Sequence, residues 1–250
     1  MSRFSLDGRV AMVTGCNKGL GQGIAVALAE AGADVVGVNR RAADETRGRI
    51  ESLGRRYVNL EVRLGHDRAE EIVAQGVESL GRIDTLVNNA GTIRRAPALE
   101  FTEADWDEVM ELNLKAAFFL SQQVARHLME RKAPGRIVNI ASMLSFQGGI
   151  RVPSYTASKS GILGLTRLLA NEWAAHGITV NAIAPGYMAT DNTQALREDE
   201  TRSAEILGRI PAGRWGTPDD LAGAAIFLCS DAAGYVNGHA LAVDGGWLAR

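Results

Sequence analysis

The 250-residue chain is poor in cysteine and shows no excess of one charge. Cys16 and Cys229 are its only cysteines, too few for a disulfide framework or a thiolate metal site, so we expect no resident metal. Lys and Arg number 27 and Asp and Glu 29, a net charge of −2 that offers no basic surplus to nucleic acid or an anionic membrane. So few cysteines fit a reducing cytoplasm, where we expect the protein to act.

Long hydrophobic runs are also missing. No 18 consecutive residues are apolar, which argues against a transmembrane helix, and the first ten residues lack the apolar core of a signal peptide. Hydrophobic and charged residues make up 46% and 22%, as in ordinary globular domains. Glycine is in excess, at 28 of 250 residues, which predicts many tight turns or close backbone approaches.

Short apolar runs alternate with longer amphipathic stretches along the chain. The runs are continuous in hydrophobicity, as in strands covered on both faces, and the stretches between them follow helical spacing. Helix starts are predicted at Thr102, at Thr217-Pro218 and just after Pro153. The alternation predicts an α/β fold of one domain over residues 1–250, a doubly wound parallel sheet with helices on both faces. The runs lie at residues 10–13, 35–38, 86–87, 137–141, 178–184 and 241–243.

The first apolar run leads into a glycine-rich loop. Glycines at 15, 19 and 21 permit a tight turn and close approach to a pyrophosphate, and the following helix offers free N–H groups. The spacing differs from the usual G-x-G-x-x-G fingerprint, and a purely structural glycine cluster is the alternative. Because the loop stands between a strand and a helix, it predicts nucleotide binding. The residues assigned to this site are Gly15, Asn17, Lys18, Gly19, Leu20 and Gly21.

The second strand ends at Asn39, which is followed by Arg40 and Arg41. NAD-preferring folds place an acid here for the ribose 2′-hydroxyl, whereas an arginine accommodates a 2′-phosphate. Asn39 does not repel a phosphate and Arg40 can pair with one, so these residues favour NADP. Solvated surface arginines are the alternative interpretation.

Tyr155 and Lys159 are four residues apart in a predicted helix and therefore share one face. A tyrosine with an ordinary pKa of about 10 is a poor base at neutral pH, but a neighbouring ammonium stabilises its phenolate. The pair is a candidate general acid/base unit, although this spacing alone is usually structural.

The motifs together identify a family. The glycine loop, Asn88-Asn89-Ala90-Gly91, Asn113, Ser142, Tyr155 with Lys159, and Pro185-Gly186 occur in this order. Their order and spacing resemble the short-chain dehydrogenase/reductase superfamily over essentially the whole chain. The resemblance implies a seven-stranded Rossmann fold, a nicotinamide coenzyme and a homotetramer.

The resemblance also implies a role for each motif. Tyr155 would transfer the proton, Lys159 would bind the nicotinamide ribose and lower the Tyr155 pKa, and Ser142 would hydrogen-bond the substrate oxygen. Asn113 would support a proton-relay water. Arg63 replaces an Asp that often meets the adenine, which leaves the Leu64 backbone as the candidate there. The other implied coenzyme contacts are Asn89, Ala90 and Gly91 beside the adenosine ribose, and Pro185, Gly186, Met188 and Thr190 beside the nicotinamide.

Further segments, at residues 92–95, 141–153, 192–194 and 209–216, resemble the sugar acid dehydrogenases of this superfamily. This implies hydride transfer at C5 of 2-dehydro-3-deoxy-D-gluconate or gluconate, with NAD instead of the NADP that Asn39 and Arg40 favour. We expect Arg94 or Arg151 to hold the carboxylate, and Gln147 and Asn192 to bind hydroxyls. The polar stretch 186–213 is expected to cover the substrate.

Two other functions stay open. A 3-oxoacyl-carrier-protein-type reductase would need a long apolar pocket and a basic surface for its acidic carrier, which the net charge of −2 does not support. A nucleotide-binding regulator on the same fold would be expected to lose Tyr155, Lys159 or Ser142, and all three are present.

Overall fold

The computed structural model describes residues 3–250 and contains a parallel sheet in the order β3-β2-β1-β4-β5-β6-β7. The order reverses between β1 and β4, so the crevice outside their carboxyl ends is where a ligand is expected. This confirms the predicted doubly wound fold. The strands are β1 (Val10–Thr14), β2 (Asp34–Asn39), β3 (Tyr57–Glu61), β4 (Thr85–Asn88), β5 (Gly135–Ile140), β6 (Ile178–Pro185) and β7 (Ala240–Val243).

Helices cover both faces of the sheet. Ala11 and Val13 pack towards α1 and α9, while Val10 and Met12, which point the other way, pack towards α3 and α5. The strands between these layers are apolar on both faces for this reason. The helices are α1 (Gly19–Glu30), α2 (Asp44–Ser52), α3 (Ala69–Leu80), α4 (Glu103–Met110), α5 (Ala116–Glu130), α6 (Pro153–Trp173), α7 (Gln194–Glu198), α8 (Glu200–Arg209) and α9 (Ala222–Cys229).

Local signals set several helix starts. The Thr102 hydroxyl accepts a hydrogen bond from the Asp105 N–H at 3.2 Å and so caps α4, as predicted. Pro153 is itself the first residue of α6. Thr217 precedes a 3₁₀ turn at Pro218–Leu221, and α9 begins only after that turn. The predicted start is therefore correct, but the first turn is tighter than an α-helix.

Strand β3 does not coincide with any continuous apolar run. It lies at the edge of the sheet, and most of its side chains are partly or fully exposed. A strand with water on one side needs no unbroken apolar sequence, so the rule that found the other strands does not find this one.

Residues 186–213 leave the sheet after β6 and include α7 and α8. Ile206 and Ile210 anchor this segment against Met143 and Trp247. Nowhere in residues 3–250 is a helix both long and apolar enough to cross a membrane. The same residues contain no group of three or more His, Cys, Asp or Glu placed to hold a metal ion.

Candidate active site

The glycine-rich loop connects β1 to α1 at the reversal point of the sheet. Gly15 and Gly19 have φ angles of +67° and +60°, a region that residues with a Cβ atom rarely adopt. A Cβ on Gly21 would overlap the Gly15 carbonyl oxygen and the Asn89 side-chain nitrogen. Lys18 at the N-cap makes no side-chain bond to α1, so the first-turn N–H groups stay available to an anion. These residues fit the pyrophosphate of a dinucleotide.

Hydrogen bonds fasten the end of β4 to this loop. The Thr14 hydroxyl accepts from the Asn89 and Ala90 N–H groups at 3.0 and 2.9 Å. The Asn89 side-chain amide donates to the carbonyls of Thr14 and Gly15 at 2.9 and 3.0 Å. The hydrogen bonds of Asn89 therefore fix the distance between the glycine loop and the end of β4. Gly91 follows at the exposed rim.

Residues at the end of β2 differ sharply in exposure. Asn39 is 2% exposed, and its side-chain nitrogen donates to the Asn59 side-chain oxygen at 2.6 Å. Arg40 and Arg41 are exposed and make no hydrogen bond or ion pair with residues 3–250. The buried, neutral Asn39 side chain is therefore followed by two exposed guanidinium groups that have no partner in residues 3–250.

Ser142, Tyr155 and Lys159 converge at the carboxyl end of β5, the same edge of the parallel sheet from which the glycine loop leaves β1. Ser142 follows β5, and the other two lie one turn apart on α6. The Ser142 hydroxyl accepts from the Leu144 N–H at 3.1 Å, and it lies close enough to the Tyr155 phenol to lower the pKa of that phenol. The Lys159 ammonium lies 5.7 Å from the centre of the Tyr155 ring and donates to the Ile140 carbonyl at 2.6 Å. The predicted set is therefore brought together, with its hydroxyls and ammonium in one place.

Burial controls the titration of this group. It raises the pKa of the Tyr155 phenol above its ordinary value, while the Ser142 hydrogen bond and the Arg95 charge act in the lowering direction. Burial also lowers the pKa of Lys159 to about 8. That Lys159 lowers the Tyr155 pKa stays a prediction, and the structure adds Arg95 as a further cation that acts in the lowering direction. Arg95 adjoins the predicted Arg94, and nothing in the sequence tells which of two consecutive arginines faces the site.

Asn113 lies in a widened π-helical turn, Glu111–Lys115, between α4 and α5. Its side chain accepts from the Thr92 N–H at 2.8 Å and donates to the Thr92 carbonyl at 2.9 Å. It also donates to the Ser158 hydroxyl on α6 at 3.2 Å. Both amide hydrogens of the side chain are therefore used in joining the loop after β4 to the helix of Tyr155. Single π turns recur at functional sites, and no sequence pattern indicated this one.

The two arginines predicted for the substrate carboxylate have different surroundings. Arg94 forms a two-point contact with Glu108 at 3.0 and 2.8 Å and lies 3.3 Å from Asp105. Its charge is therefore already balanced by two carboxylates. Arg151 is exposed, has a φ of +64°, and its side chain pairs with no group in the described part of the chain.

Other predicted substrate residues contact further arginines. Arg95 donates to the Asn192 carbonyl at 3.0 Å, which connects the loop after β4 to the segment 186–213. Arg209 donates to the Gln147 side-chain oxygen at 3.4 Å and stacks over Trp247, 4.1 Å from the ring centre. Asn192 and Gln147 thus each lie within hydrogen-bond distance of an arginine.

The wall predicted for the nicotinamide begins where β6 ends at Pro185. A Cβ on Gly186 would stand 2.7 Å from the Asp244 Cα, so the chain passes too closely for any larger residue. Met188 is buried, and the Thr190 N–H donates to the Thr193 hydroxyl at 3.2 Å. On the opposite wall, Asn17 and Leu20 lie half-buried in the glycine loop, and Leu64 lies half-buried after β3.

Known proteins resemble this chain over its whole length. A family model described as enoyl-(acyl carrier protein) reductase matches residues 15–248. A 2-dehydro-3-deoxy-D-gluconate 5-dehydrogenase of Escherichia coli K12 is 62% identical, covering 100% of this chain and 99% of the relative. The chain belongs to the short-chain dehydrogenase/reductase family. It is accordingly an oxidoreductase that uses a nicotinamide coenzyme and acts on a CH–OH group.

Solved structures of this family share the fold closely. A protein from Agrobacterium tumefaciens, provisionally named a 2-deoxy-D-gluconate 3-dehydrogenase and solved with NADP, is 58% identical with a TM-score of 0.94, and each chain covers 100% of the other. A gluconate 5-dehydrogenase from Burkholderia cenocepacia, solved with NADP and tartrate, is 40% identical with a TM-score of 0.92. The match covers 99% of this chain and 98% of that one.

Proposed function

We propose that this chain transfers a hydride between NADP(H) and C5 of a six-carbon sugar acid, with 2-dehydro-3-deoxy-D-gluconate as its substrate. The observation that carries the proposal is the convergence of Ser142, Tyr155 and Lys159 at the carboxyl edge of the sheet. The choice of substrate is supported by the full-length likeness to a relative of that name. Gluconate is the second candidate, supported by the likeness to a gluconate 5-dehydrogenase.

Tyr155 exchanges the proton with the substrate oxygen in this proposal. The Leu144 N–H occupies one lone pair of the Ser142 oxygen, which leaves the Ser142 proton to donate outwards. In this proposal Ser142 donates that proton to the substrate oxygen, beside the Tyr155 phenol whose pKa it lowers. The coenzyme, when bound, supplies or accepts the hydride. Lys159 holds the nicotinamide ribose, and Asn113 supports the water that returns the proton to solvent.

The coenzyme occupies the crevice between the glycine loop and the start of the segment 186–213. The N-terminus of α1 faces its pyrophosphate, and Arg40 pairs with a 2′-phosphate. Two related structures hold NADP, which supports that choice over NAD. The remaining proposed contacts are Gly15, Asn17, Lys18, Gly19, Leu20, Gly21, Leu64, Asn89, Ala90, Gly91, Pro185, Gly186, Met188 and Thr190.

The substrate carboxylate needs a cation that is not already neutralised. Arg94 is neutralised by Glu108 and Asp105, so we place the carboxylate at Arg151 and Arg95 instead. Arg95 is the cation whose charge reaches Tyr155. Gln147 and Asn192 bind hydroxyls, and the segment 186–213 covers the bound acid. We further propose that the single domain 1–250 assembles as a homotetramer in the cytoplasm.

A substrate panel tests the proposal. The purified protein is mixed with 2-dehydro-3-deoxy-D-gluconate, gluconate, 5-ketogluconate and an acetoacetyl thioester, each with NADP(H) and with NAD(H), and nicotinamide absorbance is followed. We expect the highest kcat/KM with a C5 sugar acid and NADP(H). The highest value with the thioester would contradict the proposed substrate class, and the highest value with NAD(H) would contradict the proposed coenzyme.

A further inference from the structure

A buried polar cluster lies beneath the adenosine end of the coenzyme crevice. It consists of Cys16 in the glycine loop, Asn39 at the end of β2, and Tyr57 and Asn59 on β3. The Tyr57 hydroxyl donates to the Asn59 side-chain oxygen at 3.1 Å and lies 3.6 Å from the Cys16 sulfur. The side-chain nitrogen of Asn39 lies within 3.5 Å of all three partners. The cluster therefore joins three separate elements of the coenzyme site.

The cluster fixes which way the Asn39 amide faces. Its nitrogen pairs with the Asn59 oxygen at 2.6 Å, and reversing the Asn39 amide alone would bring two acceptor oxygens together at that distance. The Asn39 side-chain oxygen is buried and has no hydrogen-bond partner in residues 3–250. An unpaired buried oxygen is costly, and it persists here only because the nitrogen is held by the cluster.

In Rossmann folds that bind NAD, the residue at the place of Asn39 accepts a hydrogen bond from the ribose 2′-hydroxyl. In this chain the only acceptor of that side chain is turned into the protein, and the exposed groups at the same place are Arg40 and Arg41. The side chains of residues 39–41 therefore offer cations for a 2′-phosphate and no exposed acceptor for a 2′-hydroxyl.

We propose that Tyr57 and Asn59 are specificity-determining positioning residues that hold Asn39 away from the adenosine ribose and so favour NADP(H) over NAD(H). This inference rests on the proposed use of a nicotinamide coenzyme and adds the residues that set its selectivity. Without the two anchors, the whole Asn39 side chain is free to swing out of the cluster towards the crevice, where its oxygen accepts from the 2′-hydroxyl. Arg40 and Arg41 remain in place, so binding of the 2′-phosphate changes little.

The test measures Kd for NADPH and for NADH by fluorescence titration of the reduced coenzymes, without substrate. The variants are Tyr57→Phe, Asn59→Ala and their combination. We expect the double variant to bind NADH about three- to tenfold more tightly, the effect of one gained hydrogen bond, and to bind NADPH nearly as before. Parallel weakening of both coenzymes would mean that the cluster only supports the loop, and would overturn the proposal.

A mutant cycle that adds Asn39→Ala shows whether the tighter binding of NADH depends on the Asn39 side chain. In the otherwise unchanged protein, Asn39→Ala should leave the ratio of the two Kd values unaltered, because its oxygen does not reach the ribose. In the double variant, the same substitution should abolish the gain for NADH. Persistence of the gain would overturn the assignment to Asn39.

Tyr235→Phe, at a fully exposed tyrosine remote from the cluster, is the matched control and should change neither Kd. An unmodified protein that binds NADH more tightly than NADPH would overturn this inference while leaving the proposed sugar acid chemistry intact. A protein that binds neither coenzyme would instead overturn the proposed function itself.

Discussion

At the scale of single residues, the Tyr155 hydroxyl is the group whose loss should separate chemistry from binding. Tyr155→Phe keeps the ring packed on α6 and removes the proton donor, so turnover should fall about 100-fold or more. Coenzyme Kd should stay within about twofold, since no pyrophosphate or ribose contact is assigned to the hydroxyl. Steady-state kinetics and a coenzyme titration measure the two effects. Near-normal turnover would remove Tyr155 from the mechanism.

The buried Lys159 ammonium predicts a pH dependence of stability. Burial lowers its pKa to about 8, so between pH 8 and about 10.5 the unfolded chain binds a proton that the folded chain does not. The free energy of unfolding therefore gains a contribution that rises with pH across this window, by up to about 3 kcal/mol. Lys159→Met should lack this rise, while Lys132→Met, at an exposed lysine, should retain it. Urea unfolding at pH 7 to 10 compares them, and parallel curves for wild type and Lys159→Met would contradict the prediction.

Because the three arginines have different partners, we expect their alanine variants to differ in KM for the sugar acid. Loss of a charge-assisted contact costs on the order of 1.5–3 kcal/mol, so Arg151→Ala or Arg95→Ala should raise KM for the sugar acid about 10- to 150-fold. KM for an uncharged analogue should change far less. Arg94→Ala is the matched control, because Glu108 and Asp105 already hold that guanidinium. A larger effect at Arg94 would reverse the assignment.

At the scale of elements, the turn from β1 into α1 depends on a close backbone approach. A Cβ on Gly21 would meet backbone on one side and Asn89 on the other, so Gly21→Ala should destabilise the protein by about 1–3 kcal/mol. It should also weaken coenzyme binding about tenfold or more, because the crevice walls are displaced. Gly48→Ala in α2, where nothing lies within 4 Å, should instead raise stability by about 0.5–1 kcal/mol. Thermal unfolding and coenzyme titration of both variants test the contrast.

At the scale of the whole molecule, the segment 186–213 connects the two walls of the crevice. Asp191 forms an ion pair with Lys18 of the glycine loop, and the Asn192 carbonyl accepts from Arg95. If the segment covers the substrate, coenzyme plus sugar acid should slow tryptic cleavage after the exposed Arg197 several-fold. Cleavage after Lys132, before β5 at the other end of the sheet, should be unaffected. Mass spectrometry of the fragments distinguishes the two sites, and equal rates at Arg197 with and without ligands would exclude closure.

The sequence by itself determined the α/β alternation, the parallel sheet and the loop at Gly15–Gly21. Buried strands and glycine turns are encoded by neighbouring residues, so a local pattern suffices. The order and spacing of the motifs, with Ser142, Tyr155 and Lys159 among them, also indicated the family.

Only the tertiary structure decided which groups surround each functional side chain. It neutralised Arg94 with Glu108, placed the Arg95 charge near Tyr155, and buried the Asn39 oxygen without a hydrogen-bond partner in residues 3–250. Each of these depends on partners 14 to 60 residues distant along the chain, or on which way a loop residue faces. Charge balance, burial and hydrogen-bond direction are properties of such long-range contacts, and one strand or helix does not encode them.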